Sequence, residues 1–218
     1  MSHEHHHHHG HGDRHGAKQP ERFDPTRAAR LEDPERLTYL PVEDVLELLD
    51  APRDACVIDF GTGTGVYAIA IARARSDLRI VALDEQPEML ALLRAKPDAA
   101  RLGNLEPVGP EAVATLRGCA QRILAINVLH ELGDDALHHV GELLAPAGRA
   151  VFIDWNADAD RPVGPPSDHV YAPVEARARL EANGFRVASA ERLFAYHFAL
   201  VATYRSAPAE RDSTPDSS

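Results

Sequence analysis

The sequence predicts an α/β domain built on a doubly wound, mainly parallel seven-stranded sheet with an antiparallel hairpin at its C-terminal edge. Three observations carry this expectation. Apolar runs of strand length alternate with helix-patterned segments over most of the 218 residues. A glycine-rich turn, "GTGTG" at 61–65, joins the first of those strands to a helix. The last two strand-like segments, "FRVASAERL" and "YHFALVATYR", have no helix between them, which calls for an antiparallel pair.

Each element has its own signal. The opening "MSHEHHHHHGHGDRHG" holds eight of the 13 histidines and almost no apolar side chain. It cannot join a core, so residues 1–20 are expected to be a disordered tail, and the polar residues 206–218 another. Between them, 21–205 reads as one domain. Its charged first stretch carries scattered anchors at Phe23, Leu31, Leu37, Tyr39 and Leu40. "PVEDVLELLD" is a helix with proline in its first turn and Val42, Val45, Leu46 and Leu49 on one face. "ACVIDF" is a buried strand and Val66–Arg75 a helix. "LRIVALD" is the second strand, and "PEMLALLRA" a helix opened by proline. "AARLGN" is read as the third strand and "GPEAVATLRG" as a helix. "RILAINVL" is the fourth strand. The acidic start of "DDALHHVGELLA" suits a helix N-terminus. "GRAVFIDW" is the fifth strand, and "PVEARARLEANG" a helix with a glycine C-cap.

Composition narrows the function. The formal net charge is −11, which argues against a nucleic-acid backbone as partner and towards a small molecule. No apolar run approaches bilayer length and no signal peptide is visible, so a cytoplasmic protein without membrane contact is expected. The two cysteines, Cys56 and Cys119, fall in or near apolar runs and read as buried free thiols. The histidine-rich tail is either a purification tag or a natural tail able to take up a divalent metal; oligomeric state stays open.

In a doubly wound sheet, ligands bind at the carboxyl ends of the strands. There, Gly61, Gly63 and Gly65 allow close backbone approach, and the helix that follows offers free N–H groups. Asp84 ends the second strand, where a carboxylate can accept both hydroxyls of a ribose. A nucleoside-containing cofactor follows. The dinucleotide fingerprint requires a glycine where Val66 stands, and no Gly-Lys-Ser/Thr completes a P-loop.

"VIDFGTGTG" followed by "IVALDEQPEML" resembles the class I S-adenosylmethionine-dependent methyltransferases, whose Rossmann-like fold matches the sheet expected here. "LAPAGRAVFIDW" resembles that family's turn into the fifth strand, with Ala147 where glycine is common. "GPPSDHVY" and "LEANGFRVASAERL" resemble later segments of a subgroup near the ubiquinone/menaquinone C-methyltransferases. The resemblance implies S-adenosyl-L-methionine as cofactor. It places Asp59, Gly61, Gly63 and Gly65 along the methionine end, the aspartate on the amino group. Asp84 would hold the ribose, with Glu85 and Met89 at ribose and adenine. Asn104, beside Leu105, would stand for the usual adenine-facing aspartate, and Asn127 would lie near the methionine portion. The usual Phe-Asp opening of the fourth strand is Gln121-Arg122 here.

Methyl transfer is an in-line displacement in which alignment does much of the catalysis, and a base is needed only for an acceptor that holds its proton. His130, just past the fourth strand, and His169, in the loop after the fifth, are the candidate catalytic bases. His138 and His139 read as a solvated helix face, His197 as structural, Tyr39 as packing, and Trp155 as pocket wall or core. The expected function is methyl transfer to a small molecule, best guessed as C- or O-methylation of an aromatic or quinone-like compound. The alternative is a metal-responsive binding protein that uses the tail and holds the cofactor without turnover. Use of a nicotinamide cofactor is disfavoured by Val66 and Asp59.

Overall fold

The computed structural model describes residues 24–205. Its centre is a seven-stranded sheet in the order β3-β2-β1-β4-β5-β7-β6. The strands are β1 (Cys56–Phe60), β2 (Arg79–Leu83), β3 (Leu105–Val108), β4 (Ala120–Ile126), β5 (Leu144–Trp155), β6 (Phe185–Leu193) and β7 (His197–Tyr204). The first five run parallel, while β7 lies antiparallel between β5 and β6. The chain steps outward from β1 to β3 and then returns to the other side of β1 as β4. That reversal opens a crevice above the carboxyl ends of β1 and β4.

The helices are α1 (Arg36–Tyr39), α2 (Val42–Leu49), α3 (Val66–Ala74), α4 (Pro87–Ala95), α5 (Val113–Leu116), α6 (Asp134–Leu143) and α7 (Pro173–Ala182). Side chains of a strand alternate between faces, so a sheet covered on both sides reads as unbroken apolar runs. Val57, Ile80, Leu124 and Val151 pack with α2, α3 and α4 on one face. Ile58, Val81, Ile123 and Phe152 pack with α5, α6 and α7 on the other. The Gln121-Arg122 opening of β4 has a structural use. Arg122 Nε donates to Leu49 O at 2.7 Å and Nη2 to Asp50 O at 2.6 Å, closing the end of α2 where Asp50 turns left-handed. Gln121 Oε1 accepts from the backbone of Cys56 at 2.7 Å.

The third strand differs from expectation. Ala99–Arg101 is a 3₁₀ turn, and β3 begins only at Leu105. The proline in "LEPV" disguised the strand, but β3 is an edge strand. The carbonyls of Asn104 and Val108 face β2, accepting from Ile80 and Asp84, so by alternation position 107 faces outward, where a missing N–H costs nothing. Arg94 Nη2 donates to the outward carbonyl of Pro107 at 3.0 Å.

An irregularity near the start of β5, where its register against β4 shifts, puts Ala147 at φ 63°, a left-handed conformation, at an exposed position. A Cβ on Gly148 would lie 2.6 Å from Ala120 O, so that residue admits no side chain. At the N-terminal end, a 3₁₀ helix (Pro25–Glu32) capped by Asp24 leads into α1. This segment crosses the carboxyl edge of the sheet. Lys96 Nζ ties Glu32 at 2.6 Å to Thr64 O at 2.7 Å, and Tyr67 Oη donates to Leu40 O at 3.0 Å. The Tyr39 ring sits 5.9 Å from Trp155, 5.4 Å from Tyr196 and 5.6 Å from His197. Cys56 and Cys119 are free, and both are half-buried rather than buried. Among the described residues, no helix is long and apolar enough to cross a membrane. The predicted tails lie outside the described residues.

Candidate active site

A cavity of about 500 Å³ opens at the crevice above β1 and β4, a size suited to a small-molecule ligand. Its floor is the turn from β1 into α3. Gly61, Gly63 and Gly65 all have positive φ, at 70°, 56° and 78°. A Cβ at Gly61 would come within 2.6 Å of Val128, and one at Gly65 within 2.3 Å of Leu93, so conformation and packing exclude side chains there together. Above Gly63 a Cβ would meet only Leu31, at 3.1 Å.

Two carboxylates flank this turn. Asp59 is buried on β1 and accepts from Thr62 Oγ1 at 2.6 Å. Burial pushes its carboxyl up to about 6; the Thr62 hydrogen bond opposes the shift and the neighbouring Asp84 adds to it. Asp84, past the end of β2, accepts from the backbone of Gly63 at 2.7 Å and of Gln86 at 2.9 Å. Burial raises it too, against those two hydrogen bonds. A buried acid held above its ordinary range is a site prepared for a cationic or hydroxyl-bearing ligand.

The cavity brings together Asp59, Gly61, Gly63, Asp84, Glu85, Met89 and Asn127 from the predicted set. Gly65 lies at the base of the turn, as the left-handed residue before α3. Asn127 is held at φ 58°, its N–H bonded to Ile153 O at 2.8 Å. Its Oδ1 is buried with no hydrogen-bond partner, as is Thr64 Oγ1 beside it on the cavity wall. Unpaired buried polar atoms are costly, and both of these belong to residues that line the cavity. The glycine cradle, the flanking carboxylates and the orphaned oxygens together fit a nucleoside cofactor with a cationic end.

Asn104 and Leu105 are not part of this cavity. Because β3 starts one residue later than Asn104, both stand at the amino end of the strand, on the opposite edge of the sheet. Asn104 Nδ2 donates to Ala72 O, Arg75 O and Leu78 O, each at 3.1 Å, closing the end of α3. The corresponding cavity wall past β3 is Pro110 and Val113.

The candidate bases separate. His169 ends a short 3₁₀ turn (Ser167–His169), is exposed, and does not reach the cavity. His130 does not line the cavity either, although Val128 and Glu131 around it do; its side chain turns towards β5. Its Nδ1 lies 2.8 Å from Asp154 Oδ1, and its backbone N–H donates to Oδ2 at 3.0 Å. The Trp155 N–H also donates to Asp154 Oδ1, at 2.7 Å. A carboxylate only accepts, so Nδ1 carries a hydrogen, and Nε2 keeps the lone pair only when the ring is neutral. Nε2 lies 3.6 Å from Glu131 Oε1, and Glu131 lines the cavity. Burial pulls the His130 imidazole down, but the charge and hydrogen bond of Asp154, with Glu131 behind them, outweigh it and hold the ring above its ordinary value.

Sequence reading missed other walls of the cavity, Tyr67, Glu131, Asp135 and His139; Arg36, in the N-terminal segment that relatives of this type place over the cofactor, lines it too. His139 is therefore not on a purely solvated face, while His138 Nδ1 meets Tyr204 Oη at 2.5 Å. His197 is fully buried beneath Trp155, ring centroids 4.1 Å apart, and burial lowers its imidazole to about 3. Trp155 belongs to this packed group. No cluster of metal-ligating side chains occurs among the described residues.

Fold and cavity define an α/β enzyme domain of the nucleoside-cofactor type. A family model for methyltransferase domains matches residues 34–197, and the chain belongs to that family. The solved structure of an S-adenosylmethionine-dependent methyltransferase from Aquifex aeolicus superposes with a TM-score of 0.76 at 28% identity, covering 83% of this chain and 98% of that one. A type 11 methyltransferase from Sulfolobus solfataricus shares the fold at a TM-score of 0.62 and 18% identity, over 80% and 97% of the two chains. Among curated proteins, the release factor glutamine methyltransferase of Burkholderia pseudomallei (strain K96243) is 38% identical over 85 residues, 37% of this chain and 29% of that protein. The chain thus matches less than a third of that relative's length.

Proposed function

We propose that the protein methylates a small-molecule acceptor at a group that must surrender a proton, an aromatic or quinone-like hydroxyl or activated ring carbon, and that His130 receives that proton. The observation that carries this reading is the buried His130–Asp154 pair at 2.8 Å, which reaches the cavity through Glu131, 3.6 Å from His130 Nε2. The enclosed cavity supports a small acceptor. Residues 21–205 form the catalytic domain in this reading, and the reaction takes place in the cytoplasm.

S-adenosylmethionine, when bound, supplies a methyl group activated on a sulfonium. Asp59 takes the cofactor's amino group and Asp84 the ribose hydroxyls. Glu85 and Met89 border the ribose and adenine, and Asn127 Oδ1 receives a donor from the methionine portion. Asp154 fixes the tautomer of the neutral His130 ring, so Nε2 would receive the acceptor's proton by way of the Glu131 carboxylate, which lines the cavity. With the cofactor held there, the acceptor would lose its proton as it gains the methyl group, and His130 would hold that proton.

A panel of phenols, quinols and amines incubated with methyl-labelled cofactor tests this. The expected result is label transfer to one chemical class. His130→Ala should lower turnover about 10²- to 10⁴-fold with cofactor affinity preserved. Undiminished turnover in that variant removes His130 from the reaction. Label transfer only to a glutamine-bearing peptide would replace the small-molecule reading.

A further inference from the structure

The turn that carries His130 and Glu131 has to be held from outside. It is a single 3₁₀ turn (Leu129–Glu131) past the end of β4, too short to keep a fixed shape alone. The buried Leu129 side chain anchors one end, and His130 is fastened to Asp154. The Glu131 N–H donates to Val128 O at 2.8 Å, which closes the turn without orienting it against the sheet.

Arg179 of α7 supplies the outer hold. That helix opens with Pro173, and the Glu175 carboxylate accepts from the Ala172 N–H at 3.0 Å. Ala176 and Leu180 bury its inner face, and Arg179 stands next to Leu180 with its side chain 18% exposed. Its Nη1 donates to Leu129 O at 3.3 Å and to Tyr171 Oη, and its Nη2 donates to Leu132 O. Those two carbonyls bracket His130 and Glu131. The guanidinium lies 5.2 Å from the centre of the Tyr171 ring, and Asp134, at 3.6 Å, balances its charge. Tyr171 O accepts from the Ala157 N–H at 3.1 Å, so the same guanidinium joins the loop after β4 to the loop after β5. A buried ion is a weak source of net stability. What Arg179 supplies is geometry: a rigid planar fork spans two carbonyls and a hydroxyl, where an ammonium is a point donor.

We propose that Arg179 is a positioning residue for methyl transfer: by gripping the carbonyls on either side of His130 and Glu131, it holds the Glu131 carboxylate between the cavity and the His130 ring. Arg179 does not line the cavity, so it acts through the turn and not by touching a ligand. The inference rests on the proton path proposed above, but the placement it asserts can be measured without an acceptor.

The His130 ring reports that placement. Burial lowers its titration, Asp154 on β5 and Glu131 on its own turn raise it, and Arg161 in the loop after β5 lowers it. NMR titration of isotope-labelled histidine rings in the full chain, with His130 assigned by difference from His130→Ala, gives its midpoint. Glu131→Gln should lower that midpoint by about one pH unit. Arg179→Met should lower it by a similar amount, and Glu131→Gln added to Arg179→Met should change it little further. The direction is diagnostic, because loss of a nearby cation without movement would raise a histidine's midpoint. Arg179→Lys keeps the charge without the fork and should give a smaller lowering; it carries the test if the methionine variant does not fold. An unchanged or raised midpoint in the Arg179 variants overturns the proposal, as does a full Glu131→Gln effect persisting in their background. A wild-type midpoint in Glu131→Gln itself also overturns it, since the carboxylate would then not stand at the ring. Full turnover by His130→Ala, with the titrations as expected, would refute the proton path and leave the placement of Glu131 by Arg179 established.

Discussion

Asp59 makes cofactor affinity a function of pH. Its carboxyl is held at about 6 by burial. If the ionised form receives the cofactor's ammonium, apparent affinity scales with the ionised fraction. That fraction is about nine-tenths at pH 7 and about one-tenth at pH 5, so affinity should fall about tenfold, or about 1.4 kcal/mol. Binding at pH 6 should also release about half a proton per ligand. Calorimetric titration with S-adenosylhomocysteine, in buffers of different ionisation enthalpy, reads both quantities. Folding stability should move the other way. A carboxyl raised in the folded state contributes stability below its unfolded value and loses it as pH rises through about 6. The ligand-free protein therefore gains stability from this group over the interval in which it loses affinity. Asp59→Asn should bind about 10- to 150-fold more weakly, the worth of about 1.5–3 kcal/mol for a hydrogen bond to a charged group, and should lose most of the slope. Constant wild-type affinity between pH 7 and pH 5 would refute the reasoning, and the same slope in Asp59→Asn would move the titration to Asp84.

Two other substitutions give direct readings. Asp84→Ala removes the acceptor of the Gly63 and Gln86 N–H groups as well as the proposed ribose contact; calorimetry should show cofactor affinity reduced at least about tenfold. Ala147→Gly relieves a left-handed alanine at an exposed position; chemical denaturation should show a gain of about 0.5–1 kcal/mol, the strain relieved less the entropy glycine adds to the unfolded chain.

Much of the fold was legible because its strands are buried on both faces. Ile80–Leu83 and Ile123–Ile126 are apolar without interruption, β1 is broken only by Asp59, and the glycine turn after β1 announces a ligand at that point. The third strand was hidden because an edge strand obeys looser rules: "LEPV" is short, carries an outward proline, and is half-exposed. That shift of a few residues moved Asn104 from the ligand end of the sheet to the other. His130 was visible as a polar residue past β4, but its orientation was not. Asp154, which turns it, lies 24 residues away and meets it only through β4–β5 pairing. Arg36 and Glu131 could not be assigned from spacing, since their approach to the cavity depends on how a cover and a loop fold back.

The outer edge of β3 has a consequence for the fate of the chain. A parallel sheet ending in a bare strand offers a row of donors and acceptors on which another molecule's strand can assemble. Here Pro107 has no donor to offer, and its carbonyl is already engaged by Arg94. Arg79 and Glu106 pair at 2.7 Å across β2 and β3, adding charge to the same border. The residue that concealed this strand from a reader of the sequence also hides its edge from other strands.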